Sequence, residues 1–332
     1  MYAFVDTILS AIDTFLERKT RRFGDGVLAY ALLTPAMVII GLFGIAPIFY
    51  SVYISLFDTR RGVQSFVWAR NYVEALSSDD FWQSVLITVF FVIGTIPVAL
   101  TVSFLIAHAL FNLGRARGFF RTVYFLPYVT SVVAAATVWK MILHPRVGPV
   151  NTFLAWVGVS TDSLPNWMLE SRGVLNLLTG GALSPEWGPS LALCCVILFE
   201  IWHSSGFMIV ILLAAMTTLP RELDEAARID GANWRQRILH VTVPLLSPTL
   251  LFLCIVQTVK AFQAFNSFYA LTGNGRGPLD TTRNVTVYVF SNFYEFGRSE
   301  YAAAVATLLA IAIALMSWIQ WRVVHSRVNF ER

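Results

Sequence analysis

Two apolar stretches of the chain carry polar residues at helical spacing. Within each stretch the polar residues recur every three or four positions, so each set shares one face of a helix. A polar or charged group in hydrocarbon is costly unless it faces a cavity or a partner. The two faces therefore predict one polar tunnel, in which carboxylate and amide groups bind hydroxyl groups of a solute. The polar residues are Glu200, His203 and Ser204 in the first stretch, with Phe207 on the same face, and Gln257, Lys260, Gln263 and Asn266 in the second.

A structural interpretation of the same residues stands beside this one. Glu200 and Lys260 could form an ion pair that holds two spans together, and that role is compatible with contact to a solute. Lys260 also suits an anionic solute, so the class of solute stays open.

The elements that position these residues are membrane spans. The 332 residues are 56% hydrophobic and only 13% charged, with a mean hydropathy of +0.64. Soluble domains carry about 25% charged residues. The composition therefore excludes an ordinary cytosolic enzyme, a disordered regulator and a disulfide scaffold. The net charge is +4, but the arginines lie in short loops, which indicates control of membrane topology rather than nucleic-acid binding.

Six stretches are long enough to cross the bilayer, which takes about 20 apolar residues. The loops that alternate along the chain differ in Arg and Lys content, and the richer set includes both terminal segments. Both termini are therefore predicted in the cytoplasm. The spans run over about 28–57, 82–111, 122–143, 189–219, 245–269 and 301–321 of a transmembrane domain at 27–325.

Three segments outside the spans have patterns of their own. Residues 1–26 have the spacing of an amphipathic helix, followed by a basic arm, and predict a helix in the cytoplasmic interface or packed on protein. The loop 144–188 is rich in Pro and Trp and predicts a folded extracytoplasmic cap with short helices. Residues 326–332 form a cytoplasmic tail.

The segment between the fourth and fifth spans, residues 221–240, predicts a short cytoplasmic helix. Pro220 ends the fourth span and opens the helix, acidic residues follow in the first turn, and Gly231 ends it. A second short helical stretch follows, up to Val243-Pro244, where the fifth span begins. Small residues allow close approach of another protein, although an ordinary surface helix is the alternative. The residues that predict contact with a partner are Glu225, Ala226, Ala227, Asp230, Gly231 and Ala232.

The spacing of these residues resembles the EAA loop of binding-protein-dependent ABC importer permeases. The pattern Glu225-Ala226-Ala227, Asp230-Gly231-Ala232, Val243-Pro244 and Pro248 extends over more than twenty residues. Residues 120–127, 271–278, 33–35 and 47–48 also resemble stretches of the sugar-type members. The resemblance covers the chain from about residue 28 and is closest to the maltose and glycerol 3-phosphate types.

The resemblance implies an all-α integral membrane protein with the type I importer fold, with six transmembrane helices and a coupling helix at 221–240. It implies these partners: a second permease, dimeric ABC ATPase subunits and an extracytoplasmic solute-binding protein, in the inner membrane of a prokaryotic cell. The implied activity is import of a sugar or oligosaccharide. In the maltose type, the positions that line the cavity align with Glu200, Ser204, Phe207, Gln257, Lys260 and Ala264.

Enzymatic chemistry is not expected of this chain. A P-loop needs Gly-Lys before Ser or Thr, and none of the lysines follows a glycine. ATP and Mg²⁺ are therefore expected in a partner subunit, with no cofactor, metal or catalytic residue here. A glycerol 3-phosphate permease is one alternative. Another is an ion-coupled secondary transporter that uses Glu200, although no inverted repeat is visible.

Overall fold

The computed structural model describes residues 25–60, 63–114, 116–160, 163–182, 184 and 188–325. The tail 326–332 lies outside these residues, as does the predicted amphipathic helix except for Asp25 and Gly26, which begin the first described helix. Within the described residues, four helices are long and apolar enough to cross a membrane, and two bent pairs bring the number of spans to as many as six. The predicted helical membrane fold is confirmed.

The first span carries little packing of its own. Helix α1 (Asp25–Ile40) continues through a π-helical turn (Gly41–Ile45) into α2 (Ala46–Ile54), and neither the turn nor α2 has a buried residue. Its apolar surface is therefore available to lipid or to another chain. An antiparallel hairpin that the sequence did not predict follows, with β1 (Phe57–Arg60) paired to β2 (Val63–Phe66).

Two long helices form the centre of the bundle. Short helix α3 (Arg70–Leu76) precedes α4 (Asp79–Asn112), which packs along α9 (Leu191–Thr217). Serine caps begin both long helices, because the hydroxyls of Ser78 and Ser190 accept from backbone N–H groups in the first turn. Fully buried side chains on α4 and α9 make up the core between them, among them Phe91, Val196 and Phe199.

The third span is bent, where the sequence predicted one stretch from 122 to 143. Helix α5 (Arg117–Val129) meets α6 (Val132–Ile142) at 97°. The chain is extended at Thr130 and Ser131, one turn after Pro127, whose missing N–H removes a helical hydrogen bond. Helix α5 lies so close to α9 that a Cβ atom at Gly206 would be 2.5 Å from the carbonyl oxygen of Tyr124.

The fifth span also differs from the predicted straight helix at 245–269. Helix α11 (Trp234–Arg237), a π turn (Ile238–Thr242) and α12 (Val243–Leu245) lead to α13 (Ser247–Phe262) across a 70° bend. The bend lies between Pro244 and Pro248, neither of which can donate a backbone hydrogen bond.

A second break follows at residues 263–265, before α14 (Asn266–Thr272). Side chains satisfy the carbonyl groups that the break frees. The Thr286 hydroxyl donates to the Phe262 carbonyl at 3.0 Å, and Asn284 Nδ2 donates to the Ala264 carbonyl at 2.5 Å. The break is thus stabilised by specific hydrogen bonds from residues outside the span.

The described residues of the loop 144–188 include two short helices, α7 (Pro149–Trp156) and α8 (Val174–Leu178). Asn151 organises it, because its amide donates to the carbonyls of Pro145 and Pro165 and accepts from the Trp167 indole. Arg172 donates two side-chain hydrogen bonds to Glu170, and these hold the pKa of the Glu170 carboxyl below its usual value.

The last elements of the chain begin at the end of the bundle where the loop 144–188 lies. A 3-10 turn (Pro278–Asp280) and α15 (Val285–Phe290), with a π turn (Ser291–Glu295), precede α16 (Ser299–His325). The buried Arg283 forms ion pairs with Asp280 at 3.0 Å and with Asp80, near the start of α4, at 2.8 Å. This link fixes the loop against the central helices.

Candidate functional site

The segment between the fourth and fifth spans forms a helix that stands apart from the bundle. Helix α10 (Arg221–Ile229) starts after Pro220 and has Glu222 and Asp224 in its first turn, where acid suits the helix dipole. At its end Gly231 has a φ of 80°, and the N–H of Ala232 donates to the Ala227 carbonyl at 2.9 Å. This is a glycine-dependent helix end of the Schellman type.

The predicted coupling segment at 221–240 contains two helices, with the break near Gly231 that the sequence predicted. Residues 230–233 separate α10 from α11, and α11 belongs to the fifth span rather than to the surface helix. The Asn233 side chain accepts from the N–H of Gln236, and the Gln236 side chain accepts from the N–H of Asn233. This capping box restarts the helix, so the surface helix and the span meet at a defined turn.

The residues that predict contact with a partner lie on the surface of this helix and turn. Glu225, Ala226, Asp230 and Gly231 are exposed, and Ala227 and Ala232 are partly buried. Sequence reasoning missed Ile229, a large apolar side chain that is 87% exposed at the end of α10. An exposed apolar residue within a charged rim is the usual anatomy of a protein–protein contact, and its place directly before Asp230 could have indicated it.

A cleft of about 390 Å³ separates α10 from the ends of α4 and α9. Arg237 crosses it from α11 to α10, with Nε 2.7 Å from Asp224 Oδ1 and Nη2 3.0 Å from Oδ2. The guanidinium thus connects the surface helix to the start of the fifth span. The cleft is also lined by His108, Arg117, Glu225, Arg228 and Thr242.

Inside the bundle, the structure brings part of each predicted face to one small cavity, the polar recess. Its volume is about 10 Å³. Glu200 and Ser204 reach it from α9 and Gln257 and Lys260 reach it from α13, as the two helical spacings predicted. Sequence reasoning missed its third wall, which is α4. The residues of that wall are Thr95, Ile96 and Ala99.

The two charged residues of the recess take different partners. The Glu200 carboxyl interacts with the hydroxyl of Ser267. Lys260 Nζ lies 3.1 Å from the hydroxyl of Tyr128 and 4.7 Å from the ring centre of Phe207. Among the described residues no salt bridge joins Glu200 to Lys260, although the lysine is near enough for its charge to act on the carboxyl.

Tyr128 is a member of the site that the sequence pattern did not reveal. Its ring stacks on Phe207 with centroids 5.2 Å apart, and the Lys260 ammonium lies over both rings. Such cation–π contacts stabilise a positive charge without neutralising it. The residue directly follows Pro127, which ends the stretch 120–127 that resembles other permeases, and that position was the available signal.

Five predicted residues do not line the recess. Phe207 lies beside it, against the Lys260 ammonium, and Asn266 is exposed at the start of α14. The other three are His203, Gln263 and Ala264. His203 is buried and stacks on Phe199, with centroids 5.7 Å apart. Gln263 and Ala264 lie at the break after α13, where Gln263 is exposed and the Ala264 carbonyl accepts from Asn284. The continuous helix assumed for 245–269 would have kept them on the face of Lys260. In the described part of the chain no group of three His, Cys, Asp or Glu residues could hold a metal ion.

Residues 75–329 match the family described as binding-protein-dependent transport system inner membrane component. The chain belongs to this family. The matched range contains α10, the turn at Gly231 and every residue of the polar recess. The family predicted from the EAA-type spacing is confirmed, and the chain is a transport subunit and a multi-pass membrane protein.

Curated relatives match the permease over nearly its whole length. The lactose transport system permease protein LacF of Rhizobium radiobacter is 29% identical over 95% of this chain and 99% of its own. The trehalose/maltose transport system permease protein MalF of Thermococcus litoralis is 26% identical, over 92% and 97%. The sn-glycerol-3-phosphate transport system permease protein UgpA of Brucella abortus is 30% identical, over 93% and 98%.

Solved structures share the fold of the permease. A chain of a bacterial alginate ABC transporter, crystallised in complex with an alginate pentasaccharide-bound periplasmic protein, superposes with a TM-score of 0.75 at 18% identity. The alignment covers 94% of this chain and 98% of that one. A chain of a bacterial ABC transporter involved in the import of alginate gives a TM-score of 0.72 at 19% identity, over 96% and 99%.

Proposed function

We propose that this permease forms half of the translocation pathway of an ATP-driven importer for a sugar or oligosaccharide. The observation that carries the proposal is the family match over residues 75–329, which contains both α10 and the polar recess. The relatives named for lactose and for trehalose/maltose align over more than nine-tenths of the chain and favour a carbohydrate. A relative named for glycerol 3-phosphate makes a polyol phosphate the second candidate.

In this proposal, another subunit supplies the energy that moves the membrane spans. The chain has no Gly-Lys pair for a P-loop, so ATP and Mg²⁺ bind to dimeric ABC ATPase subunits. Helix α10 and its turn contact the ATPase through their exposed residues, which are Glu225, Ala226, Ile229, Asp230 and Gly231. Closure of the ATPase dimer moves α10, and the Asp224–Arg237 contact carries the movement into the fifth span.

The solute passes the polar recess on its way through the bundle. Hydroxyl groups suit Glu200, Ser204 and Gln257, which offer acceptors and donors, and a pyranose ring suits the faces of Tyr128 and Phe207. Lys260 would bind the phosphate of an anionic solute equally well. A second permease supplies the other half of the pathway. A solute-binding protein delivers the solute outside the prokaryotic inner membrane, and both chain ends are cytoplasmic.

Reconstitution tests this proposal directly. The chain is purified with a second permease and ATPase subunits encoded beside it, placed in proteoliposomes and supplied with the solute-binding protein. Radiolabelled lactose, maltose, trehalose and sn-glycerol 3-phosphate serve as probes. The expected result is import of a probe that requires ATP, the ATPase and the binding protein. Import of a probe by this chain alone under a proton or sodium gradient would replace the proposal with the ion-coupled alternative.

A further inference from the structure

Two buried groups in the polar recess have no hydrogen-bond partner among the described residues. They are Oγ1 of Thr95 on α4 and Nε2 of Gln257 on α13, and the two residues are only 4% and 6% exposed. A buried polar atom without a partner destabilises a fold. Both residues line the same cavity, so the unpartnered pair indicates a group that binds there.

Thr95 differs in this respect from other threonines on the same helix. The hydroxyl of Thr88 donates to the Ser84 carbonyl at 2.7 Å, and that of Thr101 donates to the Pro97 carbonyl at 2.7 Å. A threonine within a helix ordinarily satisfies its hydroxyl donor by this bond to the carbonyl four residues earlier. Thr95 does not make it, so its hydroxyl remains available to a group in the recess.

The recess accepts a group of one particular size and chemistry. A cavity of about 10 Å³ holds a single water-sized group in this conformation. The Gln257 amide supplies a donor, the Glu200 carboxyl supplies acceptors, and the Thr95 hydroxyl can do either. One hydroxyl group on a solute both donates and accepts, and so complements all three side chains.

We propose that Thr95 and Gln257, together with Glu200, form a subsite that binds one hydroxyl group of the transported carbohydrate. The inference rests on the proposed function. Thr95 extends the pathway to α4, beyond the faces of α9 and α13. The recess lies between three helices, so their relative movement during a transport cycle changes its size. Thr95 is then a residue that determines specificity.

Access to the recess is tested first, with a thiol reagent. Cys194, Cys195 and Cys254 are replaced by alanine, and Thr95→Cys is compared with Ser84→Cys, a buried position on the same helix outside the recess. The complete assembly in proteoliposomes is treated with 2-aminoethyl methanethiosulfonate. We expect modification of Thr95→Cys during ATP-driven turnover, with loss of import, and no modification of Ser84→Cys. An assembly that turns over while Thr95→Cys stays unmodified would overturn the subsite.

Selectivity is tested second, with whichever of lactose, maltose, trehalose and sn-glycerol 3-phosphate the wild-type assembly imports, and with its monodeoxy analogues. Thr95→Val should raise the half-saturating solute concentration about tenfold. Thr95→Ser keeps the hydroxyl and should keep the wild-type half-saturating concentration. The monodeoxy analogue that lacks the hydroxyl bound at Thr95 should be imported equally by Thr95→Val and by the wild type. An equal loss for every analogue, or wild-type kinetics throughout, would assign Thr95 a purely structural role. Failure of the wild-type assembly to import any probe would instead refute the proposed function.

Discussion

Arg237 holds both carboxylate oxygens of Asp224, with its Nε 2.7 Å from Oδ1 and its Nη2 3.0 Å from Oδ2. Asp224 lies in the first turn of α10, and Arg237 ends α11, which continues into the fifth span. The capping box at Asn233 fixes the turn between the two helices. In the proposed function, this contact is the route by which a displacement of the surface helix reaches α13, which carries Gln257 and Lys260.

The first prediction concerns this contact. Asp224→Asn keeps the shape of the side chain but removes the charge that orients the guanidinium. We expect ATP hydrolysis by the assembly to persist while solute import per ATP falls several-fold, because the ATPase then moves α10 without moving the span. Both rates are measured on the same proteoliposomes.

The exchange of the two residues is the control for that prediction. Asp224→Arg combined with Arg237→Asp restores an ion pair with reversed polarity, and should recover much of the import that either single change loses. Full coupling in Asp224→Asn would show that the contact does not carry the movement. Failure of the exchange to recover any import would show that one of the residues acts elsewhere.

The second prediction concerns Gly231, whose φ of 80° is unfavourable for residues with a Cβ atom. The space around it is open, so only the backbone conformation demands glycine. Alanine should cost the helix end about 1–2 kcal/mol, and Gly231→Val should cost more. We expect Gly231→Val to insert normally, to retain less ATPase on co-purification and to lose import. Gly118→Ala, in open space with helical backbone near the start of α5, is the matched control. Wild-type import by Gly231→Val would contradict the helix-end argument.

The third prediction separates two close helix contacts. A Cβ atom at Gly206 would meet the backbone oxygen of Tyr124 at 2.5 Å, whereas at Gly94 it would meet the terminal methyl group of Ile197 at 2.9 Å. A backbone atom cannot move aside, but a side chain can. Gly206→Ala should therefore destabilise the subunit by about 1–3 kcal/mol, and Gly94→Ala by less. Thermal unfolding in detergent gives the order, and equal melting temperatures would contradict it.

Much of this arrangement followed from the sequence. The number of spans follows from apolar length, and the approach of Glu200 and Ser204 to Gln257 and Lys260 follows from helical spacing. The end of α10 at Gly231 follows from the preference of helix ends for glycine. These features depend on local periodicity or on one residue's backbone preference, which a single sequence records.

The features that the sequence did not predict depend on contacts between distant residues. The 97° bend after Val129 and the break at residues 263–265 interrupt apolar stretches with no glycine at either place. The break is satisfied by Asn284 and Thr286, about twenty residues later. Thr95 and Tyr128 join the site from α4 and α5, and no spacing within one span relates them to Lys260.

The last prediction concerns the charge of the solute that Lys260 binds. Its ammonium group lies over Phe207 and 3.1 Å from the Tyr128 hydroxyl, so its charge is not neutralised by an ion pair with Glu200. Lys260→Gln should raise the half-saturating concentration of an anionic solute such as sn-glycerol 3-phosphate by a factor of 10 or more, because a charge-assisted hydrogen bond is lost. A neutral sugar should lose only a few-fold, since glutamine can still bind a hydroxyl group.

Two further variants separate solute binding from support of the fold. Lys260→Arg keeps the charge and should keep most of the affinity for an anion. Tyr128→Phe keeps the ring beneath the ammonium but removes its hydroxyl group, and should have a smaller effect than Lys260→Gln. Import kinetics and melting temperatures are measured for each. If Lys260→Gln lowers the melting temperature and leaves the half-saturating concentration unchanged, Lys260 supports the packing of α13 against α5 and α9 and does not bind the solute.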